Sequence, residues 1–221
     1  MRLSPTSGSF RPAGFSLIEL LMVIAVMAVL AVLVAPALSS ILGAKGVTRA
    51  ANDVASVLEL ARTEAMARRS YVYVGFENTT NATGNAELCI AAAASPDGSS
   101  ATTAGLIPVT KVIRVANVRQ TDYSGLPQAV QKAATGATNN TFYVDGMTSS
   151  GIHFSIGPQT FNDSMLILSP EGELLPVADA PVFLDRAHVG LVGMKGNSPN
   201  PNDGAVLTYE GGSGAITTIR P

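Results

Sequence analysis

Every side chain from Leu20 to Ala35 is apolar, and a carboxylate, Glu19, stands directly before the run. A stretch of this kind needs lipid or other helices around it, and an acid at its edge is costly unless something neutralises it. Arg2 and Arg11 precede it, and no acid accompanies them among the first fourteen residues. That asymmetry predicts that the N-terminus stays on the cytoplasmic side. The run also inflates the bulk figures, 47% hydrophobic residues and a mean hydropathy of +0.30. The remainder is rich in Gly, Ser, Thr and Asn, as in an exported β-rich domain. A length of 221 residues suits one such domain plus the appendage.

Three readings fit residues 1–40. A cleavable secretory signal would use Ala35-Pro36-Ala37 as its small-residue cleavage site, but the apolar run exceeds the usual ~7–15 residues of such a segment. An ordinary signal anchor fits by length, since Leu17 to Leu38 is close to the ~20 residues that span a bilayer. Neither reading gives Glu19 a purpose.

The third does. Gly14-Phe15-Ser16-Leu17-Ile18-Glu19-Leu20 resembles the processing site of type IV pilins and of the pseudopilins of type II secretion. The resemblance implies cleavage between Gly14 and Phe15 by a prepilin peptidase, then methylation of the new Phe15 amine. It also implies that Glu19 neutralises an N-terminus during filament assembly. Glu19 lies four residues from Phe15, one helical turn away, so an ammonium–carboxylate pair within or between subunits would offset the burial cost of both groups. Pro36 marks either a helix kink of the kind such helices carry or merely the membrane exit.

Beyond Pro36, Val47, Ala50, Ala51, Val54, Val57, Leu58, Ala61 and Ala65 recur at spacings of three and four, predicting an amphipathic helix with one apolar face. Arg49, Asn52, Asp53, Glu59, Arg62 and Arg68 fall opposite, with Glu64 and Arg68 spaced for an i,i+4 pair. From Tyr71 the period becomes two. Strands are predicted in YVYVGF, ELCIAAAA, LIPVTKVIRVANV, TFYVDG, GIHFSIG, SMLILSP, PVFLDRAHVGLVGM, AVLTYEG and GAITTIRP. SPEGELL and YEGGSGAI read as hairpin connections, and LPQAVQKAATGATNN as a short helix or a long loop. The expected fold class is α+β, a long N-terminal helix packed on an antiparallel sheet domain. The order of elements, with Ala61-Arg62-Thr63-Glu64-Ala65 in the helix, is similar to the H-type minor pseudopilins and the T-type fimbrial minor pilins. The expected division is a cleaved leader (1–14), a transmembrane and filament-core helix (15–40), an amphipathic helix (41–70) and a β-rich periplasmic or extracellular domain (71–221).

No catalytic constellation is legible. His153 and His188 lack metal-ligand spacing, no G-x-S-x-G, P-loop or dinucleotide fingerprint occurs, and Cys89 stands alone, so no intrachain disulfide is possible. Ser198 to Gly204 reads as a Pro/Asn/Gly turn between strands, with a calcium loop as the alternative. No cofactor or metal is expected. Net charge is −2, and −4 without Arg2 and Arg11, which disfavours nucleic acid as a partner, although Arg62, Arg68, Arg69, Lys111, Arg114 and Arg119 remain free to cluster. The expected function is a non-enzymatic minor subunit of a type II secretion pseudopilus or type IV pilus. Its implied partners are other pilins, the prepilin peptidase, the inner-membrane assembly platform and membrane lipid. The implied location is the bacterial inner membrane, single-pass, with the C-terminal domain periplasmic. An exported β-rich enzyme or binding module with an ordinary signal peptide, and a DNA-capturing minor pilin, are the rival readings.

Overall fold

The computed structural model describes residues 16–99, 105–134, 141–143, 153–162, 164–175 and 183–220, with side chains described throughout except at 32–45 and 141–143. The chain divides into two compact units, Met1–Ile41 and Leu42–Pro221.

Helix α1 is Leu17–Arg68. Ser16 starts it as the N-cap: its Oγ accepts the Glu19 amide at 3.2 Å, and its carbonyl accepts the amides of Glu19 and Leu20 at 3.1 and 3.2 Å. Those bonds satisfy donors that would otherwise be orphaned in the first turn. At the far end Arg69 turns left-handed (φ 48°) and Ser70 returns its amide to the Ala65 carbonyl at 3.1 Å, a Schellman-type closure built without the usual glycine. Among the described residues, no helix is long and apolar enough to cross a membrane.

In the second unit two sheets share α1. The first contains β1 (Val72–Thr80), β2 (Ala86–Ala94), β3 (Ile107–Pro108), β4 (Ile113–Ala116), β9 (Ser164–Leu168) and β10 (Leu174–Leu175), in the order β10-β9-β1-β2-β3, with β4 also on β2. The second contains β5 (Val118–Thr121), β6 (Thr141–Tyr143), β11 (Arg186–Lys195), β12 (Ser198–Glu210) and β13 (Ile216–Ile219), in the order β13-β12-β11-β5, with β6 also on β11. A third piece, the hairpin of β7 (Phe154–Ile156) and β8 (Gln159–Phe161), stands apart from both ladders.

Each expected segment contains a strand and nearly all pairs are antiparallel, but LIPVTKVIRVANV breaks into β3, β4 and the start of β5, TFYVDG is described only as far as Tyr143, and β8 and β10 are additional to the expected strands. One pair departs from expectation: β6 runs parallel to β11, Thr141 opposite Arg186. A parallel neighbour requires a crossover rather than a hairpin, and between β6 and β11 the chain passes through β7, β8, β9 and β10 before it returns. The segment between β5 and β6 contains helix α2 (Gln128–Ala134), so the ambiguous LPQAVQKAATGATNN does form a short helix. Asn117 makes the switch between sheets. It adopts φ 60°, a left-handed conformation that Asn tolerates better than most residues, donates its amide to the Ala86 carbonyl and accepts the Met194 amide, each at 2.7 Å.

The predicted apolar face of α1 is the core. Val47, Ala50, Val54, Leu58, Ala61 and Ala65 are fully buried against Val72, Val74, Phe76, Leu88 and Ile90 of the first sheet and Val189, Leu191 and Leu207 of the second. Burying a Leu or Val side chain contributes about 1.5–3 kcal/mol, so this seam is what fastens the helix to the domain. The β7–β8 hairpin covers the other face of the first sheet, its Phe154 and Phe161 rings stacked at 4.9 Å over the cluster that holds Cys89 and Ala91. Helix α2 closes the outer face of the second sheet through Val130 and Ala134 on Val206.

SPNPNDG differs from its reading as a turn. The hairpin turn sits earlier, at Gly196 and Asn197, and Ser198 already begins β12. Register shifts between Val192 and Met194, opposite Gly204 and Pro199, so the extra residues leave the ladder as a bulge. Prolines lack the amide that a regular ladder position would need, which is why the irregularity falls here.

Candidate assembly site

Of the residues singled out from sequence, Gly14 and Phe15 lie outside the described residues. Pro36 lies inside α1, but its side chain is outside them. Glu19 is described, in the first turn of α1 three residues after the Ser16 cap. Ser-x-x-Glu is the pattern of a capping box, a helix-start signal present in the sequence beside the apolar run. A negative charge in the first turn also complements the partial positive charge of the helix N-terminus. Glu19 is therefore compatible with the helix that carries it, and its side chain is exposed.

All side chains from Ser16 to Ala31 are exposed, including Leu17 at 82%, Ile18 at 77%, Met22 at 70% and Met27 at 67%. They fall all round the helix rather than on one stripe. Monomeric soluble proteins rarely show an apolar surface of this extent, so its natural surroundings are lipid or other apolar helices.

Within the second unit, α1 carries a second set of fixed groups. Glu64 and Arg68 pair at 2.5 Å and Arg49 and Asp53 at 3.4 Å, both on the solvent face as expected. Arg62 departs from that face. Its guanidinium donates to the carbonyls of Ser213 and, at 3.2 Å, Gly212 in the β12–β13 turn, and its stem lies against Gly172 in the β9–β10 turn. Gly214 (φ 71°) has no room for a Cβ beside the Arg62 guanidinium. One arginine thus holds the terminal hairpin of each sheet, and spacing alone could not separate it from the charged face.

Asp203, the one carboxylate offered for a calcium loop, turns inward. It is 6% exposed, packs against Gly193 and pairs with Arg220 at 3.3 Å, and Arg220 also donates to Thr48 of α1. Burial pushes its pKa up, and the arginine pulls it the other way. The positive group that meets this carboxylate is the Arg220 guanidinium. Among the described residues, no three His, Cys, Asp or Glu side chains converge to hold a metal ion. A shallow cleft of about 530 Å³ beside α2, lined by Leu126, Pro127, Val192 and Pro199 among others, brings no titratable side chains together. Burial and the neighbouring Arg186 lower the pKa of His188, whose Nδ1 meets Thr208 Oγ1 at 2.9 Å. His153 is exposed.

A family model described as the prokaryotic N-terminal methylation motif matches residues 10–35, and one described as type II transport protein GspH matches residues 50–172. Among solved structures, the type IV minor pilin FimU of Pseudomonas aeruginosa is similar at 14% identity, covering 79% of this chain and 88% of that one, with a TM-score of 0.36. No curated protein matches.

Proposed function

This chain belongs to the type II transport protein GspH family and is a minor pilin or pseudopilin, a premise from which we propose how it is processed and assembled. Prepilin peptidase cuts between Gly14 and Phe15, residues 1–14 are discarded, and the Phe15 amine is methylated. Residues 15–40 then hold the subunit in the inner membrane in a single pass until the assembly platform draws it into a filament. Residues 41–70 carry the rest of the helix into the domain, and residues 71–221 lie in the periplasm or outside the cell. Pro36 is the point at which the helix yields on assembly.

The observation that supports this reading best is the surface of α1 from Leu17 to Ala31, apolar all round and exposed, with Glu19 its single charge. Moving that surface from lipid to the packed helices of a filament exchanges one apolar environment for another, so extraction need not expose it to water. Glu19 supplies register by pairing with the Phe15 amine of its own or a neighbouring subunit. A subunit working in this way needs no catalytic group. The DNA-capturing alternative asks for an unneutralised basic patch, whereas Arg68 pairs with Glu64 and Arg114 with Glu87, and Arg62 is engaged by turn carbonyls.

The test replaces Glu19 in the full chain. Glu19→Ala is expected to be processed like the parent, to stay in the membrane fraction and to disappear from sheared filaments and from cross-links to neighbouring pilins. Normal incorporation of Glu19→Ala into filaments would remove the basis for the assembly role.

A further inference from the structure

Asn-x-Ser/Thr triplets, the acceptor pattern for N-linked sugar, begin at Asn78, Asn81, Asn139 and Asn162. The fold treats them differently. The Asn78 carboxamide is occupied: Nδ2 donates to the Gln120 carbonyl at 3.0 Å and Oδ1 accepts the Gln120 amide at 2.9 Å, joining β1 to β5. Asn162 is followed two residues on by Ser164, which is buried in β9. Asn139 lies outside the described residues.

Asn81 is arranged otherwise. It opens the five-residue loop between β1 and β2, where Ala82, Thr83 and Gly84 are exposed. Asn81 donates its amide to the Asn85 carbonyl, and its own carbonyl accepts the Gly84 amide, both at 2.9 Å, with Gly84 at φ 79°. Its side-chain Oδ1 accepts three hydrogen bonds, from the Thr83 amide at 3.0 Å, the Thr83 hydroxyl at 2.7 Å and the Asn85 amide at 3.0 Å. Asn85 Nδ2 in turn donates to the Thr83 hydroxyl at 3.1 Å. Every bond to this carboxamide therefore falls on its oxygen, and Nδ2 makes none among the described residues.

A carboxamide nitrogen is a poor nucleophile because its lone pair is delocalised into the carbonyl. As its proton leaves, negative charge moves to Oδ1, and three preorganised donors at that oxygen stabilise the charge as an oxyanion hole does. The hydroxyl two residues on, which the acceptor pattern demands, is the shortest of the three.

We propose that Asn81 is a site of N-linked glycosylation, the acceptor for a sugar carried on a pyrophosphate-linked donor. In the transfer Nδ2 attacks the anomeric carbon, and the N–C bond forms as the C–O bond to phosphate breaks. The pyrophosphate leaves with the bonding pair, and the Nδ2 proton passes to a base of the transferase.

The experiment is glycopeptide mapping of the full chain purified from its own cells, using the tryptic peptide 70–111, which holds both Asn78 and Asn81. The expected result is a sugar mass localised to Asn81, retained in Thr83→Ser and Asn78→Gln and lost in Thr83→Ala and Asn81→Gln. Retention in Thr83→Ser, which keeps the loop bonds, separates loss of the acceptor from loss of the fold. A single-hexose increment identifies a nucleotide-linked donor, and a block of several sugars a lipid-linked one. An unmodified peptide from the parent chain, a sugar on Asn78 or on a hydroxyl, or persistence in Thr83→Ala overturns the proposal.

Discussion

At the residue scale, Arg62 shows how much one side chain can do when two turns converge on it. Its bonds to Ser213 and Gly212 satisfy carbonyls of the β12–β13 turn, and its stem lies against Gly172 of the β9–β10 turn. Charged hydrogen bonds of this kind contribute about 1.5–3 kcal/mol when dry, and partial exposure reduces that. Arg62→Ala is expected to cost about 1–2 kcal/mol in urea unfolding of the full chain in detergent, with Arg62→Lys recovering little because an ammonium cannot fork to two carbonyls. His188 offers a second test. Its folded pKa lies below the ordinary value near 6.5, so on acidification the unfolded chain takes up the proton first. The stability that comes from keeping the ring neutral is intact above about pH 6.5 and is lost as pH falls from there towards the folded pKa. The urea midpoint is expected to drop between pH 7.5 and 5.5, and the drop to shrink in His188→Gln.

At the element scale, α1 was the most legible part of the sequence and the second sheet the least. A helix declares its buried face locally, and all eight positions assigned to the stripe, Val47 through Ala65, are buried. Leu58, fully buried, and Leu60, 43% exposed, stand two residues apart on that helix. Leu58→Ala is expected to destabilise by about 2–5 kcal/mol and Leu60→Ala by well under 1, measured by the same unfolding assay. Strand partners are a long-range matter. Nothing in TFYVDG marks β6 as parallel to a strand that begins at Arg186, and nothing in the proline spacing of SPNPNDG distinguishes a bulge from a turn. Gly190 was equally silent. A Cβ there would come within 2.4 Å of the Thr121 carbonyl oxygen, so that β5 can approach β11 only along a glycine. Gly190→Ala is expected to cost about 1–3 kcal/mol because backbone, not a flexible side chain, stands in the way.

At the scale of the whole molecule, the chain combines two solutions to apolar burial. Its domain buries an alanine-rich helix face within itself, while residues 16–31 leave theirs exposed for surroundings that the subunit does not provide. The functional segment was legible because its signal is compact, a glycine, an aromatic residue, a glutamate and an apolar run within about twenty residues. The Ser16 cap belongs to the same compact signal, where one carboxylate, Glu19, both completes the Ser-x-x-Glu pattern of a helix start and stands at the edge of the apolar run. The central claim is that this helix begins its working life at Phe15, with a free amine one turn from Glu19. The most direct measurement is the intact mass and N-terminal sequence of the membrane-fraction protein from cells with and without prepilin peptidase. A methylated start at Phe15 that disappears when the peptidase is absent is the expected result, whereas a start near Leu38, or an uncut Met1 in peptidase-containing cells, would contradict it.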